Sequence, residues 1–112
     1  PERWPSDVPR LDLFETKQLT FEEPDLQRFP NLRLAYEAIA RGGNLPCVLN
    51  AANEVAVGLF LEEKISFLDI EKIVKEALNN PIFDKFALGD LTIPKIMSVD
   101  ELVRIQILTK YR

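Results

Sequence analysis

The sequence predicts an all-α fold, in which a small four-helix bundle-like domain (residues 31–112) follows an extended, proline-rich arm (residues 1–30). Two observations lead to this prediction. Apolar residues recur three and four positions apart in the segments after Pro30, as they do on one face of a helix. Five of the eight prolines fall in the first thirty positions, and proline removes a backbone donor and favours extended geometry.

The arm carries apolar residues that indicate a segment held against a surface rather than one free in solvent: Trp4, Leu11, Leu13, Phe14, Leu19 and Phe21. Within it, residues 19–21 favour a short strand and residues 25–29 a single helical turn.

Four helices are predicted after the arm. The first begins at Pro30, because a missing donor costs nothing in the first turn, and ends at Gly42 and Gly43. The second follows the N-cap Asn44. Its apolar face is so broad that we expect it to be the central helix, with a stripe made of Val48, Ala52, Val55 and Leu59.

The third helix has the clearest start signal, in which Ser66 caps the free amide of Asp69 and Asp69 places a negative charge near the positive end of the helix. After a long irregular connection (residues 81–97), the fourth helix is predicted to begin at Ser98, with Glu101 as its capping-box partner. Its interior VRIQIL also alternates with period two, as a strand does, but the capping box favours a helix.

Composition excludes several classes of function. The net charge is −4 with Lys and Arg scattered among acids, so a nucleic-acid partner is not expected. No apolar run approaches the roughly 18–20 residues of a membrane span, so we expect no membrane partner. One cysteine and no histidine exclude disulfides within the chain, serine triads and the usual zinc sites, and fit a cytoplasmic location. Because the chain starts at Pro1 without methionine, we expect it to be a piece of something longer.

Asn50, Asn53 and Glu54 share one face of the most apolar helix, being spaced i, i+3 and i+4. They could hold a ligand, or they could pair with backbone amides and carbonyls of the neighbouring arm and loops. The second reading is favoured, because no histidine or acid cluster accompanies them. Cys47 lies in the first turn, where a helix dipole could activate it, but no basic residue is near in sequence. A small buried hydrophobe is therefore the favoured interpretation for Cys47.

Two long stretches, LTFEEPDLQRFPNLRLAYEAIARGG (residues 19–43) and PCVLNAANEVAVGLFLEEKISFLDI (residues 46–70), resemble the 1-deoxy-D-xylulose 5-phosphate reductoisomerase family. PERWPSDVPRLDL resembles the linker of that family, so the likeness runs from about Pro1 to Ile70. The family carries its cofactor-binding domain first and its catalytic, metal-binding domain second, followed by a linker and a helical bundle.

The resemblance implies that this chain is the non-catalytic C-terminal domain, with no catalytic, cofactor-binding or metal-binding residue of its own. The implied parent uses NADPH and a divalent metal such as magnesium or manganese, and forms 2-C-methyl-D-erythritol 4-phosphate for isoprenoid synthesis. The expected partner is the catalytic domain of the same polypeptide, in a homodimeric parent. Asn50, Asn53 and Glu54 are then structural pins for the arm or a preceding domain. The alternative is a free-standing helical protein-interaction module.

Overall fold

The computed structural model describes residues 2, 4–86 and 88–111. It contains five helices and one turn of 3-10 helix at Leu88–Asp90; the helices are α1 (Leu13–Thr16), α2 (Pro30–Arg41), α3 (Leu45–Leu61), α4 (Phe67–Leu78) and α5 (Ile93–Lys110). The all-α class is confirmed, with four long helices after the arm. The described residues form no strand, so the strand predicted at residues 19–21 is wrong: no neighbouring strand exists there to complete the backbone hydrogen bonds.

Helix α3 is the centre of the bundle and packs against α2, α4 and α5. The predicted stripe of Val48, Ala52, Val55 and Leu59 is buried, none of its members being more than 9% exposed. Helix α5 contributes Val99, Val103 and Ile107, which recur every four residues on its inner face. The prediction that the most apolar helix is the central one is therefore confirmed.

The predicted ends of α2 and α4 are also confirmed. Gly42 and Gly43 have φ values of 72° and 59°, a conformation that glycine adopts without strain. At the start of α4, the Ser66 amide donates to Asp69 Oδ2 at 3.0 Å. The Lys72 ammonium and the Ser66 hydroxyl and amide lower the pKa of Asp69 to about 2, so that this capping carboxylate stays ionised.

Helix α5 begins at Ile93, earlier than the predicted start at Ser98. Its N-cap is Thr92, whose hydroxyl accepts from the Lys95 amide at 3.5 Å, and Pro94 occupies the first turn. Ser98 lies inside the helix and donates to the Lys95 carbonyl at 2.8 Å. Thr92 with Pro94 two residues later is therefore the start signal of α5, and the start predicted at Ser98 with Glu101 is wrong.

The arm does not lie on the bundle. Trp4, Phe14 and Phe21 are 88%, 91% and 89% exposed, and its one regular element is the single turn of α1. The radius of gyration is 18.5 Å, whereas a compact chain of this length has one of about 13 Å. The surface predicted to hold the arm is therefore not a surface of this bundle. No helix in the described ranges combines the length and apolarity that crossing a membrane requires.

Asn44 occupies the N-cap position of α3, as predicted, but its side chain binds another segment instead of the helix amides. It is 1% exposed, and its side chain makes no capping bond. Its Nδ2 donates to the Phe83 carbonyl, and its Oδ1 accepts from the amides of Lys85 and Phe86 at 3.2 and 2.9 Å. The Asn44 amide also donates to the Phe86 carbonyl at 3.3 Å. Asn44 thus holds the irregular segment between α4 and α5 against the start of α3.

We expect Asn44→Ala to lower the free energy of unfolding by about 1–3 kcal/mol, because the Phe86 amide loses its side-chain acceptor inside the protein. Urea unfolding followed by far-UV circular dichroism measures this change. Asn31→Ala is the matched control, since Asn31 is exposed and an exposed substitution changes stability by at most about 0.5 kcal/mol. Equal effects of the two substitutions would contradict the role given to Asn44.

Candidate interdomain site

The three residues singled out in the sequence lie on α3, but they differ in exposure. Asn50 and Glu54 are exposed, and Asn53 is half-buried. The structure brings Asn50 and Glu54 together, since Asn50 Nδ2 donates to Glu54 Oε1 at 3.2 Å. No side-chain hydrogen bond joins Asn53 to the other described residues. The shared face predicted from the spacing therefore produces one contact rather than a three-residue site.

Arg104 on α5 completes a polar cluster that joins two helices. Its NH2 group donates to Glu54 Oε2 at 2.7 Å. It also binds Asp100 with two bonds, from Nε to Oδ2 at 2.6 Å and from NH2 to Oδ1 at 3.1 Å. We call Asn50, Glu54, Asp100 and Arg104 the polar cluster. Asp100 and Arg104 are not among the site residues predicted from the sequence, although their i, i+4 spacing on a helix is a recognisable ion-pair signal.

The charges of the polar cluster stabilise one another in their ionised forms. The hydrogen bond from Arg104, with a second one from Asn50, lowers the pKa of Glu54. Asp100 and Glu54 in turn raise the pKa of Arg104. A carboxylate with a lowered pKa is ionised near pH 7 and is a poor proton donor there. The polar cluster is thus suited to holding helices together rather than to acid–base chemistry.

The hydrogen bonds of the polar cluster run inside the bundle, from α3 to α5, and not to the arm. A residue that fastens the arm would be buried beneath it. Asn50 is exposed, and so are the apolar side chains of the arm, so Asn50 does not fasten the arm in this chain. A role for Asn50, Asn53 and Glu54 toward a preceding domain stays a prediction.

Cys47 lies beside the polar cluster, in the wall of a cleft of about 810 Å³ that also touches Asn50 and Asp100. The thiol is half-buried, and its sulfur lies 3.6 Å from the Ile96 carbonyl. Burial raises the pKa of Cys47, and the Asp100 carboxylate raises it further. Since the thiolate is the nucleophile, a raised pKa favours the predicted packing role over a reactive one, although the side chain is less buried than expected.

The described residues do not assemble a metal centre. Among them, no group of three or more His, Cys, Asp or Glu side chains lies close enough together to hold an ion.

Residues 1–106 match the family model described as the DXP reductoisomerase C-terminal domain. The chain belongs to this family. The match extends well past Ile70, where the resemblance noted in the sequence ended, and it includes the segment between α4 and α5 and most of α5.

Relatives named 1-deoxy-D-xylulose 5-phosphate reductoisomerase are 47% identical over 103 residues in Lachnospira eligens and 50% identical over 104 residues in Desulforamulus reducens. These matches cover 92% and 93% of this chain but 26% of each relative. The solved structure of 1-deoxy-D-xylulose 5-phosphate reductoisomerase from Zymomonas mobilis in complex with NADPH is similar with a TM-score of 0.80 and 39% identity. That match covers 100% of this chain and 29% of the solved one. The reductoisomerase C-terminal domain thus spans about a quarter of its relatives.

We expect Glu54→Gln to alter how stability depends on pH. A carboxylate whose folded pKa lies below its ordinary value of 4.5 stabilises the fold above that pH, and this contribution is lost as the pH falls through the folded pKa. The difference in unfolding free energy between the unsubstituted chain and Glu54→Gln should therefore be present at neutral pH and vanish in acid. Urea unfolding over a pH series measures it.

Glu101→Gln is the control for this series, because Glu101 is exposed on α5 and has no ion pair to any described residue. A pH profile of Glu54→Gln that parallels the unsubstituted chain throughout would show that Arg104 does not stabilise the ionised Glu54 in solution.

We expect Asn50→Ala to change the free energy of unfolding by at most about 0.5 kcal/mol, because Asn50 is exposed. Deleting residues 1–20 should add to this effect without coupling, since the Asn50 side chain bonds Glu54 on its own helix and no described arm residue. A double-mutant cycle of urea unfolding tests both statements. A cost of about 1–3 kcal/mol that shrinks when the arm is deleted would mean that the arm does cover Asn50.

Proposed function

We propose that this chain is the non-catalytic C-terminal domain of an NADPH-dependent enzyme that converts 1-deoxy-D-xylulose 5-phosphate to 2-C-methyl-D-erythritol 4-phosphate for isoprenoid synthesis. In this proposal the chain supports the catalytic domain of the same polypeptide by packing against it. Family membership supports the proposal, as does the coverage of about a quarter of each relative. A divalent metal in the parent, its homodimeric state and its cytoplasmic location stay predictions.

The proposal that this chain packs against the catalytic domain rests on the exposed apolar side chains of the arm. Nine of its large apolar side chains are at least 38% exposed: Trp4, Val8, Leu11, Leu13, Phe14, Leu19, Phe21, Leu26 and Phe29. So many exposed large apolar side chains in one short segment favour an interaction site, because a soluble monomer rarely exposes large apolar patches. Aromatic side chains, of which the arm has four, are also the residues that most often carry binding energy in interfaces.

The parent polypeptide already contains a partner for this surface, so docking does not depend on the concentration of the protein. Because the matching family is a C-terminal domain, the remainder of such a polypeptide precedes the arm. A tethered partner binds at an effective concentration in the millimolar range, which favours docking even where each contact is weak. The catalytic domain is therefore the occupant that the position of the arm favours.

The alternative of a free-standing interaction module also accounts for an exposed apolar arm. It is less favoured, because the relatives carry this domain as part of a much longer reductoisomerase. The coding sequence upstream of Pro1 separates the two hypotheses. A glycine-rich dinucleotide fingerprint after a predicted strand in the same frame favours the reductoisomerase.

We expect Phe21→Ser in the parent polypeptide to weaken docking by about 2 kcal/mol, as loss of an aromatic anchor does, and to reduce reductoisomerase activity by about tenfold. An assay of NADPH oxidation with the sugar phosphate substrate measures the activity. In the isolated chain, the same substitution should leave the unfolding free energy within about 0.5 kcal/mol, because Phe21 is 89% exposed there.

Gln18→Ser is the matched control on the arm, since Gln18 is also exposed but its substitution removes no apolar side chain. If Phe21→Ser and Gln18→Ser had the same activity in the parent, the arm would not be the docking surface. A loss of stability in the isolated chain would instead place Phe21 against the bundle.

A further inference from the structure

The angle between the arm and the bundle is decided in one short segment, residues 24–30. The apolar side chains before it are exposed and do not pack on the bundle. After it, α2 is anchored by the buried Leu34 and Ala38. The direction in which the arm leaves the bundle therefore depends on how stiff residues 24–30 are.

Asp25 organises this segment through three hydrogen bonds. Its Oδ1 accepts from the amides of Gln27 and Arg28 at 2.8 and 3.0 Å. Its carbonyl accepts from the Phe29 amide at 2.8 Å. A single helical turn is predicted at residues 25–29, and the structure has a turn at residues 26–28. Both the side chain and the backbone of Asp25 close this turn.

Prolines stand at both ends of the segment and limit its freedom further. Pro24 and Pro30 each have φ restricted to near −65° by the ring. Pro30 is the first residue of α2, and the Phe29 carbonyl accepts from the Leu32 amide at 3.1 Å. The turn therefore runs into the packed helix with no free residue between them.

We propose that residues 24–30 form a rigid elbow and that Asp25 is the positioning residue that sets the angle between the arm and the bundle. A stiff elbow reduces the entropy lost when the arm docks, because fewer arm directions have to be given up on binding. That the docked partner is the catalytic domain rests on the proposed function. The rigidity of the elbow is a property of this chain alone.

Two spin labels test the elbow in the full chain. With Cys47→Ala to remove the native thiol, Glu22→Cys places one label on the exposed arm next to the elbow, and Gln106→Cys places the other on the exposed face of α5. Double electron–electron resonance measures the distribution of distances between the labels. Asp25→Ala should widen this distribution by about twofold, because the freed residues then behave as a flexible linker.

Two further variants separate positioning from general damage. Asp25→Asn should keep the narrow distribution, since its amide oxygen can accept the same two bonds. Asp12→Ala removes an equivalent pair of bonds, to the amides of Phe14 and Glu15 at 2.8 and 3.2 Å, but Asp12 lies outside the path between the labels. It should leave the distribution unchanged. Circular dichroism checks that each variant retains its helices.

The elbow is contradicted if the distance distribution of Asp25→Ala is as wide as that of the chain with Asp25 intact. Widening by Asp12→Ala would equally contradict it. These outcomes are independent of the docking test. A distribution that Asp25→Ala widens supports the elbow even where Phe21→Ser leaves the parent enzyme unaffected.

Discussion

The bundle depends on the hydrogen bonds between Asn44 and the segment that links α4 to α5. That segment is irregular, so its backbone groups have no helix to satisfy them, and buried backbone groups without partners are strongly unfavourable. Asn44 supplies a donor to Phe83 and an acceptor to Lys85 and Phe86. With these bonds in place, Phe83 enters the core with 2% exposure, and the chain is directed toward the position where α5 begins.

Once α5 is positioned, two kinds of contact hold it on α3. Val99, Val103 and Ile107 bury apolar surface, which supplies most of the free energy of packing. The polar cluster adds an ion pair between Glu54 and Arg104 at the solvent edge. Exposed ion pairs contribute about 0–1 kcal/mol, so this contact serves the alignment of α3 and α5 more than their affinity.

The chain thus combines a packed bundle with an arm whose apolar residues are left uncovered. The bundle buries a core of apolar side chains from α2 to α5, and among the described residues no buried side-chain nitrogen or oxygen lacks a hydrogen-bond partner. None of the described arm residues belongs to this core, because the prolines of the arm prevent regular packing, and its aromatic side chains face solvent. One small chain can therefore have a packed core of its own and still present apolar side chains suited to contact with another domain.

The sequence by itself determined α2, α3 and α4, the glycine and serine signals at their ends, the central place of α3 and the reductoisomerase family. These features are local. The residues that form a helix cap or one apolar face lie three or four positions apart, so the sequence shows both partners of each interaction. Only the tertiary structure decided that Asn44 binds Phe83, that Glu54 binds Arg104, and that the arm leaves the bundle. Those partners are separated by 39 and 50 residues, and their meeting depends on how the helices pack, which no local pattern contains.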